Sequence, residues 1–188
     1  MIDWLRLAFG VVCGQDPSHT GAPGGLLLPF CQRCAGLYAG AAVGLALHLA
    51  LRLKPGARFL QVHGGFLLLM VPLGYHWLPQ DATVRTASGV LFGAGVVSFL
   101  WLFPGPFAGG VRPLDRRRAI LYAAGIGAAL AGIPVAEAWG GLFAWYVLVV
   151  LAALGAVSLL SLALANVGLA LNGLVSRLLR NAALERRP

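Results

Sequence analysis

The chain has 188 residues, 59% of them hydrophobic and 11% charged, with a mean hydropathy of +0.83 and a formal net charge of +8. That balance excludes an ordinary soluble domain, whose apolar share is roughly 45–50%, and points to a chain solvated by lipid. The positive charge then reflects membrane topology and attraction to anionic lipid, not nucleic acid.

Residues 1 to 12 are too few to cross a bilayer. Ile2, Trp4, Leu5, Leu7, Ala8 and Phe9, interspersed with Asp3 and Arg6, suit a short helix lying in the interface. A secretory signal is disfavoured here, because no basic n-region leads into an unbroken apolar run and a small-residue cleavage site.

The chain's three cysteines, Cys13, Cys31 and Cys34, follow within the first 34 residues, with His19 between them. Cys-x2-Cys at the mouth of an apolar run, joined by a third cysteine and a histidine, suits a tetrahedral Cys3His zinc site. His76 is a spare ligand at matching depth. The same residues suit a second chemistry: a Cys-x-x-Cys at a helix amino terminus has one thiol acidified by the helix dipole, and Arg33 inside it would favour a thiolate. In that reading Cys31 or Cys34 is the nucleophile, Cys13 is a resolving thiol, and electrons pass to a quinone. A plain disulfide, or three buried thiols used as small hydrophobes, is the third possibility.

From Ala35 onward the sequence predicts an all-α, polytopic helical bundle of about five spans, since about 20 apolar residues cross a core of roughly 30 Å. They cover about residues 35–53, 59–78, 84–103, 119–139 and 142–171, the last longer than a span needs. No segment alternates with period two, so a β-barrel is excluded. With no internal repeat or linker, the chain reads as one integral membrane domain. Its parts are an extracytoplasmic segment at 1–34, a bundle at 35–171 and a basic tail at 172–188.

Gly36, Gly40 and Gly44 form a small-residue stripe on the first span, and Gly89 with Gly93 does so on the third. Ala128 and Gly132 continue the pattern on the fourth. These stripes are expected to pack within the chain, with a homodimer seam or a place in a larger membrane complex as alternatives. Trp77, Trp101, Trp139 and Trp145 lie near span ends, as an interfacial belt requires. Asn166 and Asn172 are expected to glue or cap the last helix.

Eleven of the fourteen basic residues fall in the loops after the first and third spans and in the tail. The positive-inside rule therefore puts the carboxyl terminus in the cytoplasm and, with an odd number of spans, the amino terminus and cysteines outside a cell membrane. Asp81 and Glu137 fall on the cysteine side. They are candidate general bases for a metal-bound water, should the centre be hydrolytic. His48 and His63 lie at similar depth on adjacent spans, which is compatible with bis-histidine haem but is expected to mean interfacial histidines bonded to backbone or water. Tyr38, one turn below Cys34, is expected to pack. No phosphate-cradling glycine loop is present.

The segment Cys13-Gly14-Gln15-Asp16-Pro17-Ser18-His19-Thr20, followed by Pro29-Phe30-Cys31-Gln32-Arg33-Cys34-Ala35-Gly36-Leu37-Tyr38-Ala39-Gly40, resembles a signature of the uncharacterised bacterial and archaeal membrane-protein family termed domain of unknown function 2085. Members carry Cys-His-Gln, then Cys-x-Arg-Cys-x-Gly-x-Tyr-x-Gly running into a helix. Pro79, Asp81 and Arg85-Thr86-Ala87-Ser88-Gly89 are similar to that family's second block. The resemblance covers about residues 13 to 95 and implies a polytopic membrane protein with no assigned reaction. Gly14 stands where the family has histidine, His19 where it usually has arginine, and Ser88 where it has threonine. A relocated histidine would preserve a Cys3His set.

Overall fold

The computed structural model describes residues 3–75, 77–108 and 110–185. Its described residues form six α-helices: α1 (Asp3–Gly10), α2 (Gln32–Leu51), α3 (Ala57–Gly74), α4 (Ala82–Leu100), α5 (Arg116–Trp139) and α6 (Leu142–Glu185). The last five are long and apolar enough to cross a membrane. Each begins within about three residues of the position expected from hydropathy.

Local chemistry sets the ends. Asp81 caps α4 by accepting the Val84 N–H at 2.8 Å, and Asp115 caps α5 by accepting that of Arg118 at 2.8 Å. The N-cap of α2 is Cys31, and its C-cap is Arg52, held in the left-handed region at φ 49° with its N–H turned back to His48 and Leu49. Pro72 lies in the last turn of α3, which stops at Gly74.

The tightest seam joins α2 to α4, and the two glycine stripes make it. A Cβ at Gly36 would run into the Thr86 backbone and one at Gly40 into that of Val90. From the other side, Gly89 and Gly93 meet the backbone of Arg33 and Leu37. Small residues let two helices approach to backbone contact, which supplies dispersion where lipid supplies no hydrophobic drive. Gly155 of α6 sits in the same way against the carbonyl of Tyr38, so α2 is enclosed by α4 and α6. These stripes are thus used inside the chain. Ala128 and Gly132, by contrast, lie exposed on α5, and Gly132 has no neighbour within 4 Å to which a Cβ would answer.

At one end of the bundle the segment 11–31 folds down over α2, α5 and α6. Leu28 and Phe30 are fully buried there, and the Phe30 ring packs edge-on against Phe9 at 4.9 Å. Phe9 is the inward face of α1, whose Trp4 and Leu7 stay exposed as an interfacial helix requires. Tyr38 packs on Phe9 at 5.3 Å, so it belongs to this core. The segment is also clasped by backbone: Gly24 donates to Gly140 at 3.0 Å, and the Trp145 indole donates to Leu27 at 3.2 Å.

The opposite end gathers the basic loops. Leu53–Lys54 (β1) pairs in parallel with Arg112–Pro113 (β2), and Arg112 donates its N–H to Arg52 at 2.7 Å. Trp101 donates its indole N–H to Leu53 at 3.1 Å. Asn166 ties α6 to the end of α4 by donating to Leu100 at 2.8 Å. Asn172 is exposed. Helix α6 continues past this point for 44 residues in all, about 66 Å at 1.5 Å per residue. It runs well beyond the end near residue 171 expected from hydropathy.

Candidate metal centre

Cys13 follows α1, Cys31 caps α2, and Cys34 lies on that helix's first turn. Burial of Phe30 and Leu28 pulls the intervening segment back onto the bundle, which returns Cys31 to Cys13 across eighteen residues. The Cys31 N–H donates to the Cys13 Sγ at 3.1 Å. The three Sγ atoms lie within 4.8 Å of one another, and all three cysteines are free. Ligands of a tetrahedral zinc with Zn–S of 2.3 Å are roughly 3.8 Å apart, so this trio needs only small adjustment to hold one ion.

The thiols open into a cavity of about 320 Å³, also lined by Asp16, His19, Arg33 and Arg85. The Cys13 thiol is held far below the ordinary thiol range because the Cys31 thiol, then the Cys34 thiol, donate to it, reinforced by the Cys31 backbone N–H. Cys31, in giving that hydrogen bond to Cys13, is pushed the other way. Of the three sulfurs, Cys13 is thus the one whose thiolate form the cluster favours.

Gln15 fixes the loop that carries Cys13. Its side chain donates to the carbonyls of Arg6 and Pro29, at 2.6 and 2.9 Å, and its backbone takes φ 51°. The signal for it in the sequence was the Gln of the Cys-x-Gln segment. Asp16 caps the 3-10 turn Pro17–His19, and the Ser18 hydroxyl, then the Ser18 N–H, hold its carboxylate below the usual range.

His19 lines the rim of the thiol cavity, half-exposed, with Nδ1 3.7 Å from the Asp16 Oδ2. Its ring nitrogens lie outside the cluster formed by the sulfurs. His76 lies outside the described residues. Arg33 reaches across to α3, donating to Leu73 at 3.0 Å and to the Gln80 side chain.

Asp81 and Glu137 do not line the cavity. The Asp81 carboxylate is engaged at the start of α4, and Glu137, buried on α5, accepts the Thr86 hydroxyl at 2.6 Å. The structure brings Cys13, Cys31 and Cys34 together, sets His19 beside them, and leaves the two carboxylates elsewhere.

His48 and His63 are buried within the bundle, and His63 bonds the backbone as expected. His63 gives Nδ1–H to the Phe59 carbonyl at 2.8 Å, which leaves Nε2 to accept the Tyr122 hydroxyl at 2.8 Å. The Ser98 hydroxyl is spent on Ala94, so His48 Nε2–H donates to it at 3.1 Å. Both nitrogens of His63 are thereby used, and bis-histidine haem ligation has no place in this geometry.

Residues 13–99 match the model of the family described as predicted membrane protein, DUF2085. The match holds the three cysteines, His19 and both glycine stripes of the α2–α4 seam, and it bears out the resemblance seen in the motifs. No curated protein and no solved structure matches the chain. The protein is thus a membrane protein whose described residues hold five helices long and apolar enough to cross a membrane and a three-cysteine cluster at one end of the bundle.

Proposed function

We propose that the cluster is a zinc centre on the extracytoplasmic face of a cell membrane, with Cys13, Cys31 and Cys34 as thiolate ligands and His19 as the fourth. The observation that carries this is the convergence of three sulfurs on one point. A disulfide needs two thiols, whereas a metal gives the third a reason to be there. Asp16 beside His19 Nδ1 is the carboxylate that would orient the ring, as carboxylates do for zinc-bound imidazoles. Charge closes as well: three thiolates and Asp16 balance one zinc ion with Arg33 and Arg85.

The centre reads as structural. It links the Cys13 loop to the first span, in addition to the contacts that already hold residues 22–31, and the carboxylates that could serve a bound water are occupied elsewhere. The test is elemental analysis of detergent-purified protein with a thiol count before and after chelation. About one zinc per chain, thiols unmasked by chelator, and loss of zinc in Cys31→Ser support the reading; absence of zinc from protein prepared with zinc present would sink it.

A second reading is thiol–disulfide exchange with electrons passed to a quinone, supported by the acidified thiol at Cys13, which makes Cys13 the better nucleophile in place of Cys31 or Cys34 and Cys31 the resolving thiol. It expects Cys31→Ser to trap mixed disulfides with partner proteins. Orientation has its own test: thiol labelling should reach a cysteine placed at Gln80 from outside and one at Arg116 only from inside. The reverse pattern would overturn the topology.

A further inference from the structure

Four arginines, Arg52, Arg112, Arg117 and Arg118, line a cavity of about 530 Å³ where α2 ends and α5 begins. The one carboxylate lining it, Asp115, is taken by Arg118 at 2.9 Å, and Arg118 also donates to the Pro113 carbonyl. Arg52, Arg112 and Arg117 have no acidic partner among the described residues. Orientation in the membrane needs positive charge in these loops, but it does not need the charges held in one place. Here the backbone holds them: the β1–β2 pairing and the Arg112 N–H to Arg52 bond set Arg52 and Arg112 side by side.

The rest of the cavity is apolar. Leu51 and Leu121 form its wall, and Leu121 and Ile120 continue as an exposed apolar face along α5. A cavity at the end of one span and the start of another, lined by arginines beside leucines, has the composition of a site at headgroup depth. We propose that it binds the phosphate headgroup of an anionic phospholipid, whose acyl chains lie along Leu121 and the adjoining face of α5. Free phosphate would use the same arginines but gain nothing from the apolar wall. The site is independent of the thiol cluster and of which face of the membrane it occupies.

The test is native mass spectrometry of the full chain in dodecyl maltoside, titrated with dioleoyl-phosphatidylglycerol or dioleoyl-phosphatidylcholine. The wild type should retain phosphatidylglycerol in preference. Arg117→Gln, which removes a side chain with no described contact, should weaken it about fivefold, and Arg52→Gln/Arg112→Gln/Arg117→Gln should abolish the preference. A charge-matched control, Arg58→Gln/Arg177→Gln/Arg180→Gln, should keep it. Equal loss in the control would mean unlocalised charge and overturn the site. Displacement of phosphatidylglycerol by excess inorganic phosphate would overturn the lipid assignment in favour of a free anion. An unaltered preference in Arg117→Gln would also refute it, without relying on a variant that removes three residues.

Discussion

Gly40→Ala isolates the α2–α4 seam. A Cβ at this position falls 2.7 Å from the Val90 Cα and 2.8 Å from its carbonyl carbon, where ordinary contact begins at 3.4 Å. The Val90 carbonyl oxygen lies closer still; the obstacle is helix backbone and cannot rotate away, so the helices must part by roughly 1 Å. A gap of that size forfeits about a quarter to a half of each dispersion contact along the seam, and overpacking of this kind costs about 1–3 kcal/mol. The three thiols all lie on α2 and the segment before it, none on α4, so zinc content should stay at the wild-type level while stability falls. Thermal unfolding in a fixed detergent, followed by tryptophan fluorescence, reads the stability, and elemental analysis reads the zinc content. Gly132→Ala is the control, because its Cβ meets open space. If Gly40→Ala proved as stable as Gly132→Ala, the argument for backbone-close packing would be wrong.

Other outcomes follow from the same geometry. The Cys13 thiol is held below the ordinary thiol range and the Cys31 thiol above it, so zinc binding at pH 7 should release fewer protons than the three of unperturbed thiols; calorimetry in buffers of different ionisation enthalpy counts them, and a full three would contradict the acidified thiol. The sign extends to the metal-free protein: a depressed thiol pKa stabilises the fold above the ordinary thiol value of about 8.5, and that contribution is lost as pH falls through the lowered one. Tyr122→Phe removes the donor to His63 Nε2 and strands a buried acceptor, so it should lower stability by about 1 kcal/mol. No change in the unfolding midpoint would mean that this hydrogen bond contributes nothing.

The spans were legible because the membrane reads length and hydropathy, and a run such as Ala35–Leu53 leaves no other option. The sulfur cluster was legible in part: Cys31 and Cys34 are adjacent by spacing, and Cys13 joins them through a motif. Its convergence depends on Phe30 and Leu28 being buried, which no local pattern announces. The glycine stripes identified seams but not their pairing; only tertiary contact shows Gly36 and Gly40 on Val90 and its neighbours while Gly132 faces outward. Depth along a span says nothing about which way a side chain faces. The burial of His48 and His63 with Tyr122 was therefore not legible, and Glu137 read as a possible base although it is held by Thr86.

The clasp of residues 22–31 against the ends of α5 and α6 bears on how an ion would come and go. In a small zinc finger the ligands scatter when the metal leaves, so exchange is coupled to unfolding. Here Gly24, Leu27, Leu28 and Phe30 anchor the segment by backbone, indole and core contacts that involve no sulfur. The entropy of bringing Cys31 back to Cys13 is already spent by the fold, and a departing ion leaves its ligands in place. Exchange of an ion bound there would then be governed by passage through the cavity lined by His19, Arg33 and Arg85, and its rate should track access to the site rather than the stability of the bundle.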